Sequence, residues 1–448
     1  MNATIEIQPN AITPEGFAPV RVLRDDGQRL CELDLQYSVL APFGQGNSCA
    51  TDFLLLGAVV YALDKLVPRK TAMDCWTREL SVVLPVSDAA VWNAAKQDLD
   101  ACLSFLTGDL WSIQFASQVA TPVPPLRRRH RQRGLVLGAE AVCLFSGGLD
   151  SLVGAIDWLE SNNGLRLLLV GHHDGQIAGP YSDQRRLVER LIPEYGARIG
   201  HIFARVGHTD ESVQDRELTL RGRSLLFIAM GIFVASALGS EIPLLIPENG
   251  TIALNIPLTP SRRGSCSTRT AHPYYLNLVG RVLARVGLTN SFVNPLESKT
   301  KGEVVTQCLN QQLIAQMARL SVSCAKRGHK VHFTHRDAAA CGRCMPCIYR
   351  RAALHAAGWD DERYGDDICK GEVSIDADGE KSADLRACLA FLRENMDIHE
   401  ISSMLMASGS LDVRRLPAYA AMVQRTMNEI RTLLRDKAIP EIKSLAGL

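Results

Sequence analysis

Residues 142–153, Val142-Cys143-Leu144-Phe145-Ser146-Gly147-Gly148-Leu149-Asp150-Ser151-Leu152-Val153, join a short apolar run, a glycine-rich turn and the start of a helical pattern. The apolar run reads as a buried strand, and residues 152–159 continue with helical spacing. Two glycines let the backbone turn tightly, and the first helical turn then offers unpaired N–H groups to an anion. Ser146 and Ser151 add hydroxyl donors, and the helix dipole favours negative charge there. Asp150 repels a phosphate unless a cation lies between, which points to Mg²⁺ bridging. No G-x-x-x-x-G-K-[ST] occurs, so this is not a Walker loop. A ligand-free Ser/Gly turn is the plain alternative.

Downstream of this turn, strands and helices alternate. Strands are expected at 165–170, 201–206, 242–246 and 291–293, and helices at 183–192, 224–238 and 277–286. That order predicts an α/β fold, a mainly parallel sheet with helices on both faces, over residues 139–320. Residues 1–120 mix an alternating segment (81–86) with a helical one (89–106) and read as a separate N-terminal α+β extension. Residues 121–138 hold Pro122, Pro124, Pro125 and the basic run 127–133, a linker for which a solvated connector is favoured over a phosphate or partner contact. A cysteine-rich segment covers 321–369. A helical C-terminal extension, 370–448, has candidate helices at 382–394, 398–406 and 417–435.

Composition narrows the classes. The 448 residues are 46% hydrophobic with 34 Gly and 20 Pro, which excludes collagen-like, disordered and coiled-coil chains. Lys and Arg (49) balance Asp and Glu (48), a net charge of +1 that makes no global case for nucleic acid or membrane. The longest apolar run, 225–238, is too short to cross a bilayer, and the first ten residues lack a secretory pattern. A cytoplasmic, soluble protein is expected.

Thirteen cysteines are present, and most are scattered. One group is clustered: Cys324, then Cys341-Gly342-Arg343-Cys344-Met345-Pro346-Cys347. Four thiolates suit tetrahedral Zn²⁺ in a closed structural site. A [4Fe–4S] cluster is disfavoured because Arg351 stands where the ferredoxin run carries its fourth cysteine, and a redox pair of Cys344 and Cys347 is the lesser alternative.

The loop Ser146 to Ser151 resembles the SGGxDS loop of the PP-loop ATP pyrophosphatases (adenine nucleotide alpha hydrolase-like). With the cysteines, residues 139–360 resemble the QueC family of 7-cyano-7-deazaguanine synthases. Arg223-Ser224-Leu225-Leu226-Phe227 stands where that family has a PARN-like motif, and Thr300-Lys301-Gly302-Glu303-Val304 matches TK-x-E-hydrophobic. Ser323-Cys324 matches SC, and Cys341-Gly342, Cys344, Cys347 and Arg350 match CGxCxxCxxR.

The resemblance implies ATP and Mg²⁺ as cofactors beside Zn²⁺, and adenylation of 7-carboxy-7-deazaguanine. It implies catalytic roles for Asp150, Arg223 and Lys301, the two cations offsetting phosphate charge as pyrophosphate leaves. By that resemblance cofactor binding falls to Ser146, Gly147, Gly148, Leu149, Asp150 and Ser151; His172, Glu248 and Asn249 are added as cofactor-binding candidates from their own chemistry, and Cys324, Cys341, Cys344 and Cys347 as metal ligands.

This chain departs from the family twice. The GYPDC sequence is replaced by 247–263, where Glu248 and Asn249 carry groups that suit a guanine-like edge, and the YGQ-type sequence by Gly171-His172-His173-Asp174-Gly175-Gln176. His172 and His173 leave open a catalytic, metal or merely packing role. The two extensions resemble the layout of QueC-like proteins of bacterial anti-phage systems such as Qat and type IV CBASS. That layout implies transfer of the activated 7-deazaguanine carboxylate to an amine of a protein partner from a defence operon. A nitrile synthase using ammonia is the alternative; an RNA-modifying enzyme or a non-catalytic nucleotide-binding scaffold ranks lower. A homo-oligomer is compatible with the sequence.

Overall fold

The computed structural model describes all residues except 9–17, 45, 119, 124–137, 176–178, 210–215, 218–220, 259–268, 376–378 and 380. The expected basic run 127–133 and much of the 247–263 departure therefore lie outside the described residues.

The N-terminal segment carries β1 (Asn2–Ile7), β2 (Val20–Arg24), β3 (Arg29–Leu35), α1 (Tyr37–Leu40), α2 (Ser48–Leu66), β4 (Glu79–Val86), α3 (Ala89–Thr107) and β5 (Leu110–Ser117). After the linker come β6 (Ala141–Leu144), α4 (Leu149–Ser161), β7 (Leu167–His173), α5 (Pro180–Tyr195), β8 (Ile199–Thr209) and α6 (Arg223–Leu238). They are followed by β9 (Leu244–Leu245), α7 (Gly250–Leu254), α8 (Pro273–Arg285), β10 (Phe292–Val293), α9 (Lys301–Thr306) and α10 (Gln311–Met317). The C-terminal part is helical: α11 (Met345–Ala356), α12 (Ala383–Glu394), α13 (Ile398–Ser408), α14 (Leu416–Lys437) and α15 (Pro440–Leu445).

All ten strands among the described residues form one sheet, ordered β10-β9-β6-β7-β8-β3-β2-β1-β4-β5. Pairings from β10 to β8 are parallel, as the alternation predicts, and β8–β3, β3–β2 and β2–β1 are antiparallel. The N-terminal segment, read from sequence as separate, is therefore built into the same sheet. Strand β8 is the seam: residues 199–205 pair with β7, and Val206 to Thr209 pair with β3. The alternation on either side of the linker gives no hint of this, because the pairing joins residues far apart in the chain.

Both faces of β6 are buried, so it reads as a continuous apolar run. Ala141, Cys143 and Phe145 face a core with α4 and α5, while Val142 and Leu144 face another with α2 and α6. Helix α6 is apolar all round and lies under α2. At their crossing a Cβ on Gly57 would stand 2.9 Å from Leu226 Cα, so only glycine admits this approach. A third core joins α7, α11 and the C-terminal helices. No helix among the described residues is long and apolar enough to cross a membrane.

Candidate functional site

The glycine-rich turn sits at the carboxyl end of β6, in the middle of the parallel half-sheet, where open α/β sheets place ligands. Gly147 has φ +87°, and a Cβ there would press 3.1 Å from Asp183 Cβ on α5. Gly148 is the N-cap of α4. The Gly148 amide donates to Ser146 Oγ and the Leu149 amide to Ser323 Oγ, both at 3.3 Å. These long bonds leave hydroxyls where a stronger acceptor would sit well. Ser151 Oγ donates to Gly148 O at 3.0 Å and lies 3.3 Å from Ser146 Oγ, so the two serines brace the turn from within.

Three of the expected site residues meet at Asp150. Lys301 Nζ lies 2.8 and 2.7 Å from the two carboxylate oxygens, and Asn249 Nδ2 donates to Oδ2 at 2.9 Å. All three side chains are buried. Burial pushes the Asp150 carboxyl up, but the Lys301 ammonium more than offsets this and holds it below the usual range. Glu248 is pushed well above its usual range by burial and by the Asp150 carboxylate beside it. Asn249, suggested by sequence for a base edge, spends its amide on Asp150, and its Oδ1 caps α7 by accepting from the Ile252 amide. The paired carboxyls of Asp150 and Glu248 are the oxygen-donor chemistry that Mg²⁺ takes. With Lys301 on both Asp150 oxygens, a cation at this carboxylate requires the ammonium to move.

Arg223, first residue of α6, is placed by the N-terminal segment. The Gly222 amide donates to Asp64 Oδ2 at 2.9 Å, and Asp64 also receives Arg78 at 2.7 Å. Arg78 and Arg69 share Asp109, so a buried ion network fixes the start of α6. Such a network adds little net stability but holds one geometry. No local pattern marks this network, because its members are spread over 64–109 among residue types usually found at the surface. Arg223 Nε donates to His172 Nδ1 at 3.2 Å, and among the described residues Arg223 makes no ion pair. Burial lowers its affinity for the proton, and the field of Tyr61 and Asp174 offsets this only in part.

His172 is fully buried, with Nε2 2.7 Å from Val206 O and its ring edge-on to Tyr61. Burial and then the Arg223 charge lower its pKa to about 3, so it is neutral, donating from Nε2 and accepting at Nδ1. It aims Arg223. His173 packs on Tyr181, and Asp174 is bound by Tyr61 at 2.7 Å and Lys65 at 2.9 Å, tying the end of β7 to α2.

Cys324, Cys341, Cys344 and Cys347 come together, their sulfurs all within 4.8 Å of one another. A tetrahedron with Zn–S of about 2.3 Å has S–S edges of about 3.8 Å. Cys341 and Cys347 are 3.8 Å apart, and Cys344 and Cys347 3.3 Å. The Cys341 amide points at Cys324 Sγ (3.3 Å) and the Cys344 amide at Cys341 Sγ (3.4 Å), as suits thiolates. Gly342, at φ +81°, leaves room for Asp366 O, which a Cβ would meet at 2.3 Å. The four residues fit a structural metal such as zinc. The segment also reaches the turn directly, because Val322 N donates to Gly147 O at 3.1 Å and Ser323 holds Leu149.

Comparison with known proteins finds no matching family model, curated protein or solved structure.

Proposed function

We propose that this chain is an ATP-dependent ligase of the QueC-like PP-loop type. In this reading it adenylates a 7-deazaguanine carboxylate and passes the acyl group to an amine of a protein partner, in an anti-phage setting. The observation that carries the reading is the convergence of Asp150, Lys301, Asn249 and the Ser146–Ser151 turn, with Arg223 held by His172 and making no ion pair among the described residues. Cations and helix-terminal amides stabilise charge that grows as a phosphoanhydride bond breaks.

In the first step a carboxylate oxygen attacks the α-phosphorus of ATP. The bond to the β-phosphate oxygen breaks, and pyrophosphate leaves. In the second, an amine nitrogen attacks the acyl carbon of the adenylate, AMP leaves with the bond pair, and the ammonium proton passes to solvent. Arg223, aimed by His172, and Lys301, released from Asp150, are suited to the pyrophosphate oxygens. Asp150 and Glu248 are the residues to hold Mg²⁺, which would withdraw charge from the phosphates.

The layout resemblance to the defence proteins favours a protein acceptor over free ammonia, since a docked protein amine meets the acyl-adenylate at a raised local concentration. Mass spectrometry of reactions with ATP, Mg²⁺ and 7-carboxy-7-deazaguanine tests this. A mass increment on a protein encoded beside this chain, with AMP and pyrophosphate released, is the expected result. A nitrile formed from ammonia alone would make the chain a nucleobase synthase, and no ATP turnover would leave only a binding scaffold.

A further inference from the structure

The C-terminal helix α14 crosses the two short elements that supply the partners of Asp150. Against α7, Thr426 Oγ1 lies 2.6 Å from Thr251 Oγ1, and Met422 closes over Gly250, where a Cβ would meet its Cε at 2.9 Å. Against α9, Arg425 pairs with Glu303 at 2.6 Å. Between these contacts the Glu429 carboxylate receives the Thr300 hydroxyl, and the Gly302 amide donates to its Oε2 at 3.1 Å. A Cβ on Gly302 would stand 2.4 Å from Glu429 Oε1, so residue 302 must be glycine for the carboxylate to seat. Lys301 lies between the two residues that Glu429 binds. Thr300 already caps α9 in a capping box with Glu303, so Glu429 is a second acceptor at a terminus that has one of its own.

We propose that Glu429 is a positioning residue for Lys301: α14 clamps the first turn of α9 and thereby fixes the backbone from which the ammonium reaches Asp150. The inference rests on the ligase reading only for what Lys301 does next; the clamp itself stands on geometry. Charged groups facing Glu429 are Glu303 and Arg425, with His355 lining the same outer cavity of about 330 Å³. Burial raises the Glu429 carboxyl to about 7. The clamp is therefore charged above neutrality, where a carboxylate is the better acceptor for an amide and a hydroxyl, and weakens as pH falls through 7.

Amide hydrogen exchange of the peptide covering residues 300–306 is measured from pH 6 to 8.5 in the full chain and in E429Q, after correction for intrinsic exchange. Pyrophosphate exchange into ATP is followed over the same range. Losing one hydrogen bond to a charged group corresponds to about ten- to a hundredfold in the opening equilibrium. Protection in the natural chain is expected to fall about tenfold as pH drops through 7, whereas E429Q is at least about tenfold less protected and flat. The exchange activity is expected to show the same inflection and to lose it in E429Q, with kcat falling more than the KM for ATP changes. E429D, which keeps the charge on a shorter stem, is expected to recover part of the pH dependence. Unchanged protection in E429Q, or an inflection that survives it, overturns the clamp. Absence of pyrophosphate exchange in the natural chain at every pH sinks the ligase reading instead, and the hydrogen-exchange arm still decides the clamp.

Discussion

Asp150 and Lys301 are buried together at 2.7 Å, so removing either charge strands the other. K301M is expected to lower stability by about 3 kcal/mol in denaturant titration, because a buried carboxylate keeps Asn249 and Glu248 but loses its cation. Adding D150N in the same chain is expected to restore most of that stability and none of the pyrophosphate exchange; restored exchange would remove both residues from the chemistry. His172 makes a separate pH prediction. Its pKa of about 3 lies below the unfolded value, so the unfolded chain binds the extra proton between those values. Stability is therefore full above about pH 6.5 and falls below it, by at most about 1.4 kcal/mol per pH unit. H172F keeps the packing against Tyr61 and is expected to flatten that slope in melts at pH 5 and pH 7.5. These contacts were legible only in part. The turn and the cysteines announce themselves because their chemistry lies within a few neighbouring positions. The bond from Arg223 to His172 and the seat of Glu429 join residues that no local pattern links.

Long helices are legible whether one face or every face is apolar, as 224–238 inside α6 shows. Residues 183–192 and 417–435 fall inside α5 and α14, while the strand expected at 242–246 shortens to Leu244–Leu245. Its remaining backbone pairs outside a regular ladder, Val142 N with Pro243 O and Ile246 N with Val293 O. The α2–α6 contact gives an element-level test. G57A forces a methyl to 2.9 Å from Leu226 Cα, and the helices must part, at a cost of about 1–3 kcal/mol. Unchanged denaturation would show that the crossing is looser. The cysteine segment gives another. Chelation is expected to release one zinc per chain and lower the melting temperature. It should also speed hydrogen exchange at 146–151, since Ser323 holds Leu149 from the residue beside Cys324. Metal loss without change at 146–151 would separate the two.

For the molecule as a whole, the N-terminal segment and the parallel half-sheet share β8, α6 and one core. A chain cut to residues 139–448 uncovers the β3-pairing end of β8 and the apolar side of α6. It is expected to appear in the insoluble fraction, because an open strand edge beside exposed aliphatic surface invites association. A soluble, monomeric fragment with native-like melting would make the N-terminal segment an accessory. Each half has its own rhythm of strands and helices and so reads as a unit; what unites them is the shared strand β8 together with the packing of α2 on α6.

That seam also orders events during synthesis. Glu32 and Thr209 face each other across it although 177 positions separate them. Strand β3 therefore leaves the ribosome long before its partner exists, and its outer edge waits unpaired. Alternate positions of that strand, Glu32 and Asp34, are charged. Like-charged side chains on a waiting edge discourage two nascent copies from zipping together until the native partner arrives.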